Sequence, residues 1–231
     1  MLRKFWFLFL CLVLSACATQ RPKHASDYGK DLQFPLEAYP LVYAGQEVFD
    51  DPLAGILLRY ADTKSPSDLI TVYVYPIRGI SWEEKEPVLK NEMQAVLKEV
   101  DYAVQVGVYQ SRGEATESAF EVPTPNDPIN GWRAAFSLVN DDGTRFDSFA
   151  YLFIQHDKFI KFRTSFNIED SPNWSGDEVV KMLLPQIKVP EESEYMKAKR
   201  DAYLKQIADQ IIHQLIEAAK DAPEESQAPS P

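Results

Sequence analysis

Two periodicities divide the chain. In some stretches apolar residues alternate or cluster in short runs, and in others they recur every three or four positions. The first pattern is that of strands and the second that of helices. Residues 53–61 (LAGILLRYA) and 69–75 (LITVYVY) are strand-like runs, separated by the polar turn cluster ADTKSPSD at 61–68. In the second run Ile70, Val72 and Val74 share one face and Leu69, Thr71, Tyr73 and Tyr75 the other, so both faces are at least partly covered. A helix follows. Ser81 and Glu84 have capping-box spacing, Pro87 fits only near a helix start, and Val88, Leu89, Met93, Val96, Leu97 and Val100 form one apolar stripe opposite Lys90, Glu92, Lys98 and Glu99.

Strands then succeed one another. Val104, Val106 and Val108 alternate with polar or small residues, Gly113 marks a turn, and 116–122 (TESAFEV) returns. Three prolines break the sheet between Pro123 and Pro128. Residues 131–140 and 144–155 form a hairpin around Asp141-Asp142-Gly143. The next strand, 158–166, returns through His156-Asp157, with Ile160, Phe162, Thr164 and Phe166 facing one way and Lys161, Arg163 and Ser165 the other. Ser175 and Glu178 form a second capping box, Trp174 and Val179 have staple spacing, and Pro185 and Pro190 bracket the end of that helix. The last helix is expected from near Glu191 to about Lys220, with Tyr203, Leu204, Ile207, Ile211, Leu215 and Ala219 as its stripe. Docking on its own domain is its default role, with self-association as the alternative.

This element order predicts an α+β fold: an antiparallel sheet of about six to eight strands packed by helices, with a long C-terminal helix. Residues 45–190 would form the domain, 191–221 the amphipathic helix and 222–231 (APEESQAPSP, up to the final Pro231 in content) a disordered tail. The element order and the hairpin YLFIQHDKFIKFRTSF (Tyr151–Phe166) resemble the Mog1/PsbP-like fold, which recurs in small periplasmic lipoproteins. The helix after residue 190 has no place in that resemblance.

The N-terminus follows a different logic. Arg3 and Lys4 precede an apolar run from Phe5 to Leu14, and small residues Ser15 and Ala16 lead to Cys17. This is the layout of a secretory signal peptide over 1–16, and its apolar run is shorter than the ~20 residues that span a bilayer. Leu14-Ser15-Ala16-Cys17 resembles the lipobox of bacterial lipoproteins. That resemblance implies cleavage between Ala16 and Cys17, lipidation of the Cys17 sulfur and acylation of the new amino group, palmitate-type chains that hold the protein on a membrane. Ala18 stands where an Asp retains such proteins in the inner membrane, so the family rule implies the outer membrane, facing the periplasm. Residues 17–44 then read as the lipidated cysteine and a tether, although Phe34, Leu36, Tyr39 and Leu41 are able to pack on the domain.

Charge narrows the partners. The chain of 231 residues carries 24 Lys+Arg against 35 Asp+Glu, a net charge of −11. Loss of Arg3 and Lys4 with the signal leaves 22 basic side chains against 35 acidic, or −13. Nucleic acid is therefore not an expected partner, and an acidic body is repelled by an anionic membrane, leaving attachment to the lipid. With Cys11 lost and Cys17 capped, no thiol remains for catalysis or a disulfide.

The candidate chemistry is sparse. His24, His156 and His213 form no metal-binding spacing. The pairs Asp50-Asp51, Glu83-Glu84 and Asp141-Asp142 read as turns and helix starts, since adjacent strand residues point apart. No nucleophile elbow, phosphate loop or dinucleotide fingerprint occurs, and no catalytic, metal or cofactor residue is assigned. Lys158, Lys161 and Arg163 read as a basic stripe for an anionic ligand or for cross-strand carboxylates. Trp132, Tyr73, Tyr75 and Tyr151 read as core aromatics or the lining of a groove. The sequence thus favours a non-enzymatic binding or accessory module whose partner is an envelope protein or small ligand. The alternative is an envelope hydrolase or other enzyme whose site residue spacing does not reveal.

Overall fold

The computed structural model describes residues 27–28, 31–170 and 175–220. The signal segment, Ala16, Cys17, Ala18, His24, Trp174 and the tail after 220 lie outside these residues. The described elements are β1 (Glu37–Ala38), β2 (Leu41–Val48), β3 (Ile56–Asp62), β4 (Leu69–Pro76), α1 (Lys85–Gln105), β5 (Ser111–Arg112), β6 (Thr116–Val122), β7 (Ile129–Val139), β8 (Arg145–Gln155), β9 (Lys158–Asn167), α2 (Gly176–Leu183) and α3 (Glu194–Lys220). The strands form one antiparallel sheet in the order β1-β2-β3-β4-β9-β8-β7, with β5 and β6 both pairing with β7. The fold is therefore α+β, with helices on both faces of an antiparallel sheet. Nine strands are described, where about six to eight were expected, and two of the nine are only two residues long.

Residue parity decides which core a side chain joins, because alternate strand residues point to opposite faces. Ile70, Val72 and Val74 of β4 and Ile160, Phe162 and Phe166 of β9 pack on Val179, Val180 and Leu183 of α2 and on Met196 at the start of α3. Phe159 shares the other face with Ala150, Leu152 and Ile154 of β8 and Ala134, Phe136 and Leu138 of β7. There the expected stripe of α1, including Leu89, Met93, Val96, Leu97 and Val100, covers them. The helix α1 lies across β7 and β8, leaving the α1 side of β4 beside an open cleft.

Local chemistry sets the joints. The Asp141-Asp142-Gly143 hairpin forms as expected. Gly143 takes φ 84°, and the Asp142 carboxylate accepts the Thr144 N–H at 2.9 Å. Gly55, at φ 77°, ends a short 3-10 turn, and an added Cβ there would collide with the Val74 carbonyl, so only glycine allows that turn to lie against β4. Ser175 and Glu178 make the predicted reciprocal cap of α2.

Four expectations change. The sheet starts at Glu37, not 45. Tyr28, Leu32 and Leu41 of the supposed tether are buried in the core, while Leu36 and Tyr39 are exposed. Prolines 35 and 40 and a bulge at Gly45 interrupt the period-2 signal of β1 and β2. Val104, Val106 and Val108 are not a strand: Asp101 to Gln105 continue α1, Gly107 ends it at φ 78°, and Val106 and Val108 are exposed. Alternating valines mimicked a strand over a helix end. The Ser81–Glu84 capping box does not form, because α1 begins one residue after Glu84 and Glu84 makes no side-chain cap bond. Finally, α3 starts at Glu194, not near Glu191, where the Ser193 hydroxyl accepts the Met196 N–H at 3.2 Å.

Candidate functional site

The central strand β9 lies between β4 and β8, and its three basic residues do not form one stripe. Lys158 has the parity of Ile160 and Phe162. Lys161 and Arg163 have the opposite parity. The two lysines therefore reach different faces and meet different chemistry.

Lys158 is completely buried. Its ammonium donates to Asp157 Oδ1 at 2.7 Å and to the Pro190 carbonyl at 3.1 Å, and it pairs with Asp27 Oδ2 at 3.1 Å. Asp27 Oδ2 also accepts the Ser193 N–H at 3.2 Å. Beside this cluster Arg200 of α3 pairs with Glu192 at 2.9 Å and lies 4.7 Å from the Trp82 ring centroid. Burial holds the Glu192 carboxyl above its usual range, with Arg200 opposing. Burial likewise raises the Tyr28 phenol well above its ordinary value, and the Asp157 and Asp27 carboxylates add to it. These residues tie together the N-terminal segment, the β8–β9 turn, the link before α3 and α3 itself. His156, at φ 53°, turns the chain so that Asp157 faces inward, and this is the role the residue pair plays.

Lys161 instead lies at the base of a cleft of about 420 Å³ between β4, β9 and α1. Its ammonium is 4.7 Å from the Tyr73 ring centroid and 5.3 Å from that of Tyr75, contacts that favour a cation. Among the described residues the one carboxylate on it is Glu99, at 3.3 Å, a long bond from a side chain 64% exposed. The Tyr75 hydroxyl donates to Glu92 at 2.7 Å. Burial pushes this phenol far above its usual range, and the Glu92 charge pushes it further. Arg78 stands at the rim, donating to the Leu53 carbonyl at 2.8 Å with its guanidinium 5.7 Å from the Tyr203 ring of α3. Phe159, Pro76 and the alanines Ala54 and Ala95 supply apolar wall. The cleft thus offers two cations, three aromatic side chains and two acids, of which Glu92 is held by Tyr75 and Glu99 is largely exposed.

The remaining candidates do not converge on it. Only Tyr73 and Tyr75 of the four aromatics line this cleft. The Trp132 indole donates to Glu117 at 2.8 Å under Lys90, and Tyr151 is buried on the opposite face with its hydroxyl donating to Asp177 at 2.6 Å. Asp51 accepts the Leu53 N–H and Asp142 the Thr144 N–H, each at 2.9 Å, so both serve turns. His213 is exposed on α3. Among the described residues no group of three or more His, Cys, Asp or Glu is placed to hold a metal, and no helix is long and apolar enough to cross a membrane. Residue spacing missed Asp27, Glu192, Arg200, Glu92 and Glu99. Parity alone held the clue to the first, since a lysine on the apolar face of a central strand requires buried acids.

The chain is similar to the solution structure of cyanobacterial PsbP (CyanoP) from Synechocystis sp. PCC 6803, at 12% identity, covering 69% of this chain and 92% of that one with a TM-score of 0.41. No protein-family model and no curated protein matches the chain. At that distance the likeness assigns neither ligand nor activity.

Proposed function

We propose that the protein is a lipid-anchored envelope protein, held through Cys17 in the outer membrane and facing the periplasm, and that it works as a non-enzymatic binding module with the Lys161 cleft as its recognition site. The observation that carries the binding role is the state of Lys161: a sheltered ammonium between two tyrosine rings, whose one acid among the described residues is long-bonded and largely exposed. A ligand carboxylate replaces Glu99 at little cost, because the displaced side chain returns to water. The tyrosine, phenylalanine and proline walls select an apolar or aromatic body behind that carboxylate. The anchor reading rests on the lipobox, and Asp27 follows Cys17 by so few residues that the domain stays within ~35 Å of the lipid even on an extended chain.

Phenylacetate is a suitable probe. Titrated into the protein and followed by NMR, it is expected to shift the resonances of Tyr73, Tyr75 and Phe159. Benzyl alcohol, which lacks the charge, is expected to do so at least tenfold more weakly. Equal responses to the two probes, or shifts remote from the cleft, would refute the site. For the anchor, Cys17→Ser is expected to abolish labelling by an alkyne fatty acid in cells, and equal labelling of both forms refutes it.

A further inference from the structure

We infer that α3 pairs antiparallel with α3 of a second copy of this chain through residues 208–220. The first turns of the helix are docked: Met196 and Arg200 are buried, and Tyr203 packs on the core. Beyond Ile207 every residue of α3 is exposed, including Ile211 at 50% and Leu215 at 65%. Yet the apolar stripe does not stop where the docking stops. Leu204, Ile207, Ala208, Ile211, Ile212, Leu215, Ile216 and Ala219 follow one another at three- and four-residue steps or as neighbours on one face. The projecting part is ~20 Å long, and a helix that short is marginal in water without a packing partner.

Charge selects the occupant. Helices that lie in a membrane surface carry a cationic polar face. Here Lys220 stands against Asp209 and Glu217, so residues 208–220 carry a single net negative charge and no cationic face. On a chain of net charge −11, it is also a surface on which a second copy meets little repulsion. The arm is moreover self-complementary. An antiparallel register centred near Gln214 sets Ile212 against Ile216, Ile211 beside Leu215 and Ala208 against Ala219, and it brings Asp209 level with Lys220 on one flank, each pair occurring twice about the two-fold axis. Lys220 holds Glu217 at 2.8 Å, an exposed pair that exchanges at little cost. Only the projecting segments overlap in this register, so the two domains lie at opposite ends and do not collide. The overlap is short against the ~1,200 Å² of standard stable interfaces, so the dimer is weak and depends on concentration.

The test uses the full chain purified in detergent, with single cysteines introduced into α3 and a short bis-maleimide reagent, each compared with the parent chain. Leu215→Cys lies next to the two-fold axis. Lys220→Cys lies ~18 Å from its symmetry mate in the antiparallel register but beside it in a parallel one. Cross-linked dimer is expected at least tenfold above the parent for Leu215→Cys and at the parent level for Lys220→Cys. Adding Ile212→Asp to the Leu215→Cys chain should remove the cross-link and leave the melting temperature unchanged. Equal cross-linking at both positions overturns the register. A Leu215→Cys chain that stays at the parent level at high concentration overturns the pairing. A fall in melting temperature with Ile212→Asp in the monomer would show that the arm docks on its own domain and would equally overturn it.

Discussion

Lys158 and Lys161 stand three residues apart on one strand and are both nearly inaccessible, yet they belong to different kinds of site. Lys158 has two short carboxylate partners and a carbonyl: Asp157 beside it in the chain, and Asp27 and Pro190 brought in from distant parts. Lys161 has two ring faces and one long bond to an acid that solvent already claims. Burial is thus a poor guide to role by itself. What separates a structural charge from a recognising one is whether its counter-charges are buried with it. The α2–α3 side of the sheet is a closed clasp, and the α1 side holds an open cleft.

The largest effect that can break this contrast is at the clasp. Lys158→Met leaves Asp27 and Asp157 buried without a cation, and removal of one partner from a buried pair costs about 3–5 kcal/mol. At about 2–4 °C per kcal/mol for a domain of this size, the melting temperature falls by about 6–20 °C. Differential scanning calorimetry measures it, and a fall of less than about 2 °C would mean that the clasp is not closed.

A third buried acid, Asp68, has no cation on it among the described residues. Asp68 accepts the Asn167 N–H at 3.4 Å through Oδ1, while Oδ2 has no partner among the described residues. Burial raises its pKa from 3.8 to about 6, with the Asp62 and Asp170 carboxylates adding to the rise. The folded state therefore holds this proton more tightly than the unfolded chain does. Its contribution to stability is full below pH 4, falls as pH rises toward 6 and is flat above that. Asp68→Asn keeps the Oδ1 acceptor and removes the fall. The variant is expected to match the wild type near pH 4 and to exceed it by ~1 kcal/mol at pH 7, a figure reduced from the full shift for solvent screening. Urea unfolding at the two pH values checks this, and a variant less stable at pH 7 would contradict it.

Much of this fold is legible in the sequence, and the failures have physical causes. Strict alternation in β9 and the Asp-Asp-Gly turn gave the central hairpin, and helical spacing gave α1 and α2. The strands β1 and β2 escaped because prolines and a bulged glycine erase a period of two. The extension of α1 past Val100 escaped because valines at alternate positions satisfy both a strand and the end of a helix. The cleft was illegible for a different reason. Glu92 and Glu99 are one helix face among several charged ones, and only the angle at which α1 crosses the sheet brings them to Lys161. The clasp was half legible: strand parity already separates Lys158 from Lys161, but it names no partner 131 positions upstream or 32 downstream, and Asp27 and the Pro190 carbonyl become visible only in three dimensions.

The smallest expected effect is the most telling, because it asks directly whether the α1 face is built for recognition and not for stability. Lys161→Met keeps the stem that lies along Tyr73 and Tyr75, removes a poorly compensated ammonium and leaves Glu99 in water. Its thermal unfolding, measured without ligand, is expected to stay within ~1 kcal/mol of the wild type, a shift of no more than about 2–4 °C in either direction. A destabilisation as large as that of Lys158→Met would show that Lys161 belongs to the structural core, and the division of the two faces would be wrong.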